Sequence, residues 1–299
     1  MKLNNNVKFF DKNIIRKSDL SDKNMVFFND TNILMPSVFE ISNSGICNRK
    51  CSFCPRSDPD FKEINKFIDY NLYLKFIDEL SDHKYSGTII FSGYVEPLLH
   101  KRIYSDISYA RMKLPNVNLE LITNGDPLND ERTIKLFDSG LSILLISAYD
   151  GPDQVKEFEN MMERTKIDKK RFIIRKRYYS ENKDFGLTIS NRAGNLVNAK
   201  YKIPPLTEPL SKRCNYPFYT FFIDYNGDVQ MCSHDWGKKM ILGNLKNESI
   251  KSIWCSKKFQ FVRKKLIKGE RNFSPCNVCD VKGEFIGIKH ADYWEKNNV

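Results

Sequence analysis

Histidine is scarce in this sequence, which has only four among its 299 residues: His83, His100, His234 and His290. No two of them have the spacing of metal ligands on one helix or loop, so a histidine-based metal site is not expected. Long apolar runs are missing as well. No stretch approaches the roughly 18 apolar residues of a membrane span, and the first 18 residues lack the apolar core of a signal peptide. These absences predict a cytoplasmic protein that does not cross a membrane.

Acidic residues are outnumbered: 48 lysines and arginines face 37 aspartates and glutamates, which gives a formal net charge of +11. Such a balance suits a phosphorylated or otherwise acidic partner. However, lysine, asparagine and isoleucine are spread along the whole chain, so much of this charge is expected on the solvated surface. No basic and aromatic cluster forms a docking face, and nucleic acid is therefore not an expected partner. The hydrophobic content of 41% is typical of a globular protein.

Eight cysteines stand out against these absences, and in a reducing compartment they are expected as metal ligands or free thiols rather than disulfides. Three of them, Cys47, Cys51 and Cys54, form a CxxxCxxC motif within one short loop. Four-iron clusters are normally held by four thiolates, so three thiolates leave one iron open to a small molecule. Structural zinc sites require four ligands, usually in paired units, and no fourth ligand lies in this loop. The motif therefore favours an open 4Fe-4S cluster over a zinc knuckle or three unrelated buried thiols.

With Phe53 just before its last cysteine, this motif resembles the signature of the radical S-adenosylmethionine (SAM) enzymes. The resemblance implies that Cys47, Cys51 and Cys54 hold a 4Fe-4S cluster whose open iron chelates SAM. An electron from this cluster, supplied by an external reductant such as flavodoxin or ferredoxin, then cleaves the sulfonium. The product is a 5′-deoxyadenosyl radical that abstracts hydrogen from a substrate. The resemblance also implies that Phe53 lies near the adenine.

Strand-like and helix-like patterns alternate over the first two thirds of the chain. The predicted strands are Val38–Ser42, Thr88–Phe91, Val117–Ile122, Leu141–Ile146 and Phe172–Arg175, and the predicted helices include Asn71–Ser81, Asp130–Ser139 and Pro152–Arg164. Such alternation predicts an α/β fold with a parallel sheet and right-handed crossovers. The family resemblance sharpens this to a partial, six-unit (β/α)6 TIM-like barrel.

Three regions are expected along the chain. Residues 1–36 are an N-terminal extension without a catalytic signal, and residues 37–205 form the barrel. The proline-rich stretch Ile203–Pro209 cannot be a regular helix or a central strand, so it marks the seam with a second domain over residues 206–299.

Beyond the seam the pattern changes to a hairpin followed by a helix. Two predicted strands, Phe218–Asp224 and Val229–Cys232, are joined by an Asn-Gly turn, the strongest short hairpin signal. One helix is then predicted from a cap at Ser249 to Gly269. This pattern predicts a small domain built from a β-hairpin and a helix.

Four cysteines of this region are positioned to form a closed site. The hairpin should bring Cys214 and Cys232 to the same end, and Cys276 and Cys279 form a CxxC pair. Either zinc or a second iron–sulfur cluster would satisfy four thiolates, and the spacing alone slightly favours zinc. The arrangement resembles the shortened auxiliary-cluster module called the twitch domain, which is similar to the SPASM module. This resemblance implies that the four cysteines hold a second 4Fe-4S cluster, with Cys255 left over as a structural or free thiol.

Several residues that follow predicted strands resemble SAM contacts of the family. The segment Ser92–Pro97 resembles the GGEP region, which binds the amino group of the methionine moiety, although Val95 stands where glycine is common. The resemblance implies SAM binding by residues that share this position after a strand: Gly93, Tyr94, Glu96, Pro97, Thr123, Asn124, Ser147 and Arg175. Arg175 is suited to pair with the methionine carboxylate. A plainer interpretation is that the polar side chains only cap strand ends.

For three residues just after Cys232, the sequence gives a weaker indication of function. His234 is expected beside the auxiliary ligands or on the surface rather than in catalysis, and Asp235 and Trp236 are hypothesised to line the substrate cavity.

The preferred functional hypothesis is oxidation of a sugar or aminocyclitol alcohol, with or without an attached phosphate or nucleotide. Hydrogen abstraction from a C–H bond is followed by loss of a proton and passage of the second electron to the auxiliary cluster, because a two-electron oxidation needs such an acceptor. A second hypothesis is radical modification of a ribosomal peptide by cross-linking, epimerisation or rearrangement, for which 36 N-terminal residues are too few to form a peptide-recognition domain. A third is a non-catalytic iron–sulfur electron carrier, and the open three-cysteine site argues against it.

Overall fold

One eight-stranded sheet organises the chain. A computed structural model describes residues 12–29, 31–180, 183–184, 190–200 and 202–297. The strands of these described residues are β1 (Val38–Ile41), β2 (Thr88–Phe91), β3 (Asn118–Thr123), β4 (Ile143–Ala148), β5 (Phe172–Lys176), β6 (Tyr179–Ser180), β7 (Lys183–Asp184), β8 (Thr220–Ile223), β9 (Asp228–Gln230) and β10 (Ile241–Asn244). The large sheet has the order β10-β9-β8-β1-β2-β3-β4-β5, and β6 and β7 pair separately.

Six of these strands form a parallel array. β1 to β5 pair in sequence order, and β8 pairs in parallel with the other side of β1. β9 and β10 then continue the sheet in antiparallel pairing. Since β5 and β10 are the two edges of the eight-stranded sheet and do not pair with each other, the barrel is open. The predicted α/β partial barrel is therefore confirmed, with β8 as its sixth parallel strand.

The helices of the described residues are α1 (Lys12–Lys23), α2 (Tyr70–Asp82), α3 (Ile103–Lys113), α4 (Asp130–Asp138), α5 (Pro152–Arg164), α6 (Tyr216–Tyr219), α7 (Ile250–Trp254), α8 (Lys257–Ile267) and α9 (Ile288–Lys296). Those from α2 to α5 connect the successive parallel strands β1 to β5, as the alternating pattern predicts. α2 begins at a cap, Asp69, whose carboxylate accepts the Leu72 N–H at 3.0 Å. It buries Phe76, whose ring lies 5.6 Å from that of Phe39 in β1. Within the described ranges, no helix combines the length and the apolar character needed to cross a membrane.

Most predicted elements differ from the observed ones by one or two residues at an end, and two differences have a clear local cause. The strand expected to begin at Phe218 begins at Thr220, because residues 216–219 form a helical turn with Pro217 in its first turn, where proline is tolerated. The single helix expected between Ser249 and Gly269 is two helices, because Ser256 adopts an extended backbone and caps α8 by accepting the Phe259 N–H.

The sheet is continuous across the predicted domain seam, because β8 pairs with β1. The boundary between residues 205 and 206 therefore stays a prediction.

Two carboxylates occupy the inner face of the barrel. Glu40 and Glu120 alternate along β1 and β3 with the apolar residues that face the helices. Glu40 accepts the Ser92 hydroxyl at 2.5 Å, and the fully buried Glu120 accepts two hydrogen bonds from Arg16, at 2.6 and 2.8 Å. Because Arg16 belongs to α1, the N-terminal helix is bound directly to the interior of the barrel.

Candidate active site

The three cysteines of the CxxxCxxC motif share one loop after β1. The Cys54 N–H donates to the Cys51 carbonyl at 2.9 Å, and the Arg49 N–H lies 3.5 Å from Cys47 Sγ. Burial raises the pKa of Cys51 to about 12 and that of Cys54 to about 11, and charge repulsion between neighbouring thiols adds to both shifts. Thiols held this closely bind as thiolates when a metal compensates their charge. The donor set therefore fits an iron–sulfur cluster with three protein ligands.

Arg49 ties this loop to the ends of β3 and β4. Its Nε donates to Asp126 at 2.6 Å, and its Nη1 and Nη2 donate to Asp150 at 2.8 and 2.6 Å. The two carboxylates raise the pKa of Arg49, and its guanidinium lies 5.6 Å from the ring centre of Tyr149. Sequence analysis missed these residues. The signal that could have found them is an aspartate soon after each of two parallel strands.

Glu96 connects the ends of β2 and β3. Its carboxylate is 1% exposed and accepts three hydrogen bonds: from the Leu98 N–H at 3.0 Å, the Thr123 hydroxyl at 2.8 Å and the Asn124 N–H at 2.8 Å. The Asn124 side chain in turn donates to Asn48 of the cysteine loop at 2.8 Å. The fold thus brings together three of the residues that sequence analysis assigns to SAM.

The segment after β2 has the geometry of a tight turn. Gly93 has a φ of +115°, and a Cβ at this position would lie 2.6 Å from Ser42 Oγ, so a larger residue would be strained. Pro97 opens a short 3-10 helix that Glu96 caps. Tyr94 turns towards the C-terminal half of the chain, where its ring lies 5.0 Å from that of Trp236.

β4 and β5 place the remaining expected SAM contacts beside this turn. The parallel register pairs Ser147 with Arg175. Burial raises the pKa of Tyr149 to about 12, and the neighbouring Ser147 side chain partly opposes this shift. Phe53 of the cysteine loop packs with its ring 5.3 Å from that of Tyr149. The expected contacts therefore gather at the carboxyl ends of β2 to β5, where barrel active sites are built, and their individual roles stay predictions.

The second group of cysteines lines a buried cavity. Cys214, Cys232, Cys276 and Cys279 surround a space of about 360 Å³, including its open mouth, together with Tyr216 and His234. Burial raises the pKa of all four thiols, that of Cys279 to about 11. Cys255 ends α7 and does not line this cavity.

A zinc ion needs its four sulfurs at about 2.3 Å from one point, whereas a four-iron cluster supplies a separate iron to each thiolate. Four free thiols around one cavity suit either group, and the assignment of these cysteines to a second 4Fe-4S cluster stays a prediction.

Arg271 joins the two chain segments that carry Cys214 and Cys279. It is 2% exposed, and its guanidinium donates to the carbonyls of Lys212 at 2.8 Å, Val281 at 2.6 Å and Lys282 at 2.5 Å. Sequence analysis missed this residue, because only the tertiary fold brings these carbonyls together.

A row of side chains connects the two groups of cysteines. His234 Nε2 lies 2.9 Å from the Tyr216 hydroxyl, and its Nδ1 lies 3.2 Å from Arg192 Nη1. Burial, together with the nearby Arg192 charge, lowers the pKa of His234 to about 3. Arg192 also stacks 4.9 Å from the centre of the Trp236 ring and is close enough to Cys54 for their charges to interact. His234 therefore lies beside the auxiliary ligands, which is one of its two expected positions.

Asp235 does not line the cavity of the four cysteines, and its position at the substrate, like that of Trp236, stays a prediction. Its two carboxylate oxygens accept the backbone N–H groups of Lys239 and Met240, at 3.0 and 2.8 Å. An aspartate in a tight loop commonly satisfies backbone donors a few residues on.

Two family descriptions match the chain at the positions of the two cysteine groups. The radical SAM superfamily matches residues 41–184, which contain the CxxxCxxC loop, and SPASM, an iron–sulfur cluster-binding domain, matches residues 214–280, which contain the second group of four cysteines. The chain belongs to the radical SAM superfamily. Its cofactors are therefore SAM, the 4Fe-4S cluster that binds SAM, and an auxiliary iron–sulfur centre.

Individual relatives cover most of this radical SAM protein. An S-adenosyl-L-methionine-dependent 2-deoxy-scyllo-inosamine dehydrogenase from Niallia circulans is 29% identical over 245 residues, which are 82% of this chain and 92% of that protein. The crystal structure of BtrN in complex with AdoMet and 2-DOIA has a TM-score of 0.69 at 26% identity, and the match covers 83% of this chain and 94% of that one. A structure of anSMEcpe with bound AdoMet, with a TM-score of 0.54 at 12% identity over 88% and 94% of the two chains, supports the fold alone. This radical SAM protein is an enzyme of the oxidoreductase type.

Replacing Glu96 with glutamine is expected to weaken SAM binding by at least about tenfold, because the amide turns one acceptor oxygen into a donor that faces other donors. The free energy of unfolding should also fall, by about 1–3 kcal/mol. Calorimetric titration with SAM and urea denaturation would measure the two effects. Glu79→Gln is a matched control, because Glu79 also accepts a backbone N–H, from Ile250 at 2.6 Å, but lies outside the site. Equal loss of SAM affinity in both variants would contradict this role of Glu96.

The cost of Glu96→Gln to stability is expected to depend on pH. Burial raises the pKa of Glu96 from 4.5 to about 7 in the folded protein. A raised pKa means that the folded state favours the protonated Glu96 carboxyl. The contribution of this carboxyl to the free energy of unfolding is therefore complete below pH 4.5 and is lost as the pH rises through 7. Glutamine does not titrate. Urea denaturation of SAM-free protein should therefore show a larger cost at pH 5 than at pH 8, and a cost independent of pH would contradict the assignment.

Replacing Gly283 with alanine is expected to remove iron from the auxiliary site. Gly283 has a φ of +71°, and a Cβ at this position would lie 2.4 Å from Cys214 Sγ, so the alanine must displace this ligand. Iron analysis of reconstituted protein should show a loss of up to about four irons per chain. Gly151→Ala is the control, because Gly151 has a φ of +110° but a methyl group added there would meet no atom within 4 Å. Full iron content in Gly283→Ala would show that the ligand loop can move without losing the cluster.

Proposed function

We propose that this radical SAM enzyme oxidises a secondary alcohol of a sugar or cyclitol to a ketone, with the auxiliary cluster as electron acceptor. The observation that carries the proposal is the second, closed group of four cysteines, from which a row of partly buried side chains extends towards the CxxxCxxC loop. A carrier protein would not need an open three-cysteine site. An enzyme that cleaves SAM without net oxidation of its substrate would not need an acceptor.

The proposed oxidation balances in atoms and electrons. When bound, SAM and its cluster supply a 5′-deoxyadenosyl radical, and the auxiliary cluster supplies a one-electron acceptor. The substrate would give up one hydrogen atom to that radical, one proton to a base or to water, and one electron to the acceptor, which together would convert an alcohol into a ketone. The incoming electron comes from an external reductant, and flavodoxin or ferredoxin stays the predicted class.

The chain's own residues would hold the cofactors and orient the loops around them. Cys47, Cys51 and Cys54 would hold the SAM cluster, while Glu96 with Thr123 and Asn124 keeps the loops after β2 and β3 in one arrangement around SAM. Phe53 and Tyr149 form an aromatic wall beside the cysteine loop. The Tyr94 and Trp236 rings pack between the loop after β2 and the C-terminal half of the chain.

The relatives support the substrate class. The N. circulans protein is a dehydrogenase of 2-deoxy-scyllo-inosamine, and its similarity extends over 82% of this chain. We infer that the reaction type is shared and that the substrate is a polyol of similar size.

Deuterium transfer tests the proposal. Reduced, reconstituted enzyme is incubated with SAM and with sugars or cyclitols deuterated at ring carbons, and 5′-deoxyadenosine is analysed by mass spectrometry. One deuterium in 5′-deoxyadenosine, with an equal amount of ketone, is the expected result. Deuterium transfer from a labelled peptide, with none from any polyol, would favour peptide modification instead.

A further inference from the structure

Positive charge is concentrated in one short segment of the chain. Residues 249–269 contain seven lysines and arginines and no aspartate or glutamate, whereas the whole chain of 299 residues has a net charge of +11. Glu270, the first acidic residue beyond this segment, already forms an ion pair with Lys265 at 2.6 Å. The concentration of charge includes α8 and distinguishes this segment from the rest of the chain.

One face of α8 combines this charge with an exposed aromatic ring. Lys257, Phe261, Lys264 and Lys268 follow one another at intervals of four, three and four residues, so the helix brings them to the same side. We call these four residues the α8 face. All four are exposed, Phe261 to 48%, and none of the three lysines forms an ion pair with a described residue. Sequence analysis missed this basic and aromatic face, because its residues come together only at helical spacing. An aromatic ring surrounded by unpaired cations suits an acidic protein partner.

The opposite side of α8 borders the four-cysteine cavity. Phe259, Val262 and Leu266 are fully buried on that side, and Leu266 lines the cavity. The Leu266 carbonyl also accepts the Cys214 N–H at 3.3 Å. The diameter of one helix, about 10–12 Å, therefore separates the α8 face from the wall of the cavity.

The exposed ring of Phe261 is connected to the CxxC loop as well. It meets the ring of Phe273 edge to face, with 5.7 Å between the ring centres. The Phe273 carbonyl accepts the N–H of Asn277, which lies between Cys276 and Cys279, at 2.9 Å. A partner seated on Phe261 would therefore contact the structure that surrounds the auxiliary site.

We propose that the α8 face docks an acidic one-electron carrier protein, which takes up the electron that substrate oxidation leaves at the auxiliary centre. This inference rests on the proposed function and adds a partner to it. Each alcohol oxidised leaves one electron at that centre, and the next turnover requires its removal. The carrier is reduced by one electron as the centre is reoxidised, and no atom or proton is transferred. Electron transfer slows steeply with distance, so the docking surface has to lie near the auxiliary cysteines, as the α8 face does.

Binding of two carriers to the reconstituted holoenzyme tests the surface. Calorimetric titrations use an acidic bacterial ferredoxin and an acidic flavodoxin, and the binding should weaken as salt is raised, because exposed charges are screened. The triple variant Lys257→Gln, Lys264→Gln and Lys268→Gln should bind at least about tenfold more weakly, as expected for the loss of three exposed charge pairs. Phe261→Ala should weaken binding at least about fivefold, because an aromatic ring at the centre of an interface contributes strongly to binding.

A second triple variant controls for the loss of net charge. Lys156, Lys166 and Lys169 are also exposed, and they lie in and just after α5, which precedes the edge strand β5. In contrast, α8 is bound to the other edge strand, β10, because Lys258 Nζ donates to the Ile241 carbonyl at 3.3 Å. Glutamine at the three control positions removes the same charge and should leave carrier binding unchanged. Since glutamine and lysine have similar helix propensities, both triple variants should keep the circular dichroism spectrum of the wild type.

Electron transfer is measured separately from binding. In the variant that lacks Cys47, Cys51 and Cys54, the auxiliary centre is the iron centre expected to remain. Reduced ferredoxin is mixed with this oxidised variant by stopped flow, and reduction of the centre is followed by absorbance. Weaker docking slows forward and reverse transfer by the same factor, so this direction also reports on the exit of the electron. The second-order rate constant should fall at least about tenfold when the three lysines of the α8 face are replaced as well.

Each other outcome has a definite meaning. Failure of both carriers to bind, equal binding in the wild type and the α8 triple variant, equal loss in the two triple variants, or an unchanged rate of electron transfer would overturn the proposal. Self-association of the wild type that Phe261→Ala abolishes, measured by ultracentrifugation, would assign the face to a second copy of the chain. Tighter binding of oligouridine or of phosphatidylserine vesicles than of either carrier would assign it to nucleic acid or to a membrane surface.

Failure of the proposed function is distinguishable from these results. Carrier binding and electron transfer are measured without substrate, so they decide the role of the α8 face even if no polyol transfers deuterium to 5′-deoxyadenosine. Conversely, deuterium transfer with dithionite as the chemical reductant needs no carrier protein, so it decides the proposed function even if the α8 face binds neither carrier.

Discussion

Replacement of Cys47, Cys51 and Cys54 by alanine is expected to abolish formation of 5′-deoxyadenosine. These thiols share one loop and raise one another's pKa values, so removing them leaves no ligand set for the cluster that binds SAM. Iron in anaerobically reconstituted protein should fall from about eight to about four per chain, the content of one remaining four-iron cluster. Iron and sulfide analysis together with chromatography of 5′-deoxyadenosine would measure both effects.

Cys255→Ala is the matched control for this variant. Cys255 is also a half-buried cysteine, but it lies at the end of α7 and outside both groups. It should keep full iron content and activity. A wild-type protein with about four irons and one zinc would remove the proposed acceptor, and redox-neutral reactions would then be favoured.

Replacement of Cys276 and Cys279 by alanine is expected to separate SAM cleavage from substrate oxidation. The two cysteines line the auxiliary cavity and not the CxxxCxxC loop. The variant should therefore still form 5′-deoxyadenosine while ketone production falls by at least about a hundredfold, because the second electron of the oxidation has no acceptor. The ratio of ketone to 5′-deoxyadenosine, measured in the same reaction, is the diagnostic quantity.

The folded state of this variant needs its own measurement. Removing two buried thiols changes the packing around Met231, which contacts Cys276 at 3.9 Å. Circular dichroism and SAM affinity equal to those of wild type would show that the barrel is intact. An unchanged ratio of ketone to 5′-deoxyadenosine in a folded variant would place the electron acceptor elsewhere.

Local sequence patterns determined much of this protein. The spacing of Cys47, Cys51 and Cys54 allows one loop to present three thiolates, and this property depends on neighbours in the chain rather than on the fold. The bounds of β2 and α5 are as predicted, since a fully apolar run and a helix with proline in its first turn are local signals.

Contacts between residues distant in sequence decided the rest. β8 belongs to the barrel because it pairs with β1, which begins 182 residues earlier. The sequence of β8 itself indicates the hairpin with β9 but not the additional pairing with β1. Arg49 donates hydrogen bonds to Asp126 and Asp150 because the parallel strands β3 and β4, which precede these aspartates, end at the same edge of the sheet.

The substrate side of the site was decided by tertiary structure in the same way. The sequence by itself determined a SAM cluster, a second four-cysteine site and an α/β barrel, because each depends on short-range spacing and periodicity. Only the folded chain places Arg192 beside His234 and Trp236. These side chains belong to segments distant in sequence, so their contacts are a property of the whole structure.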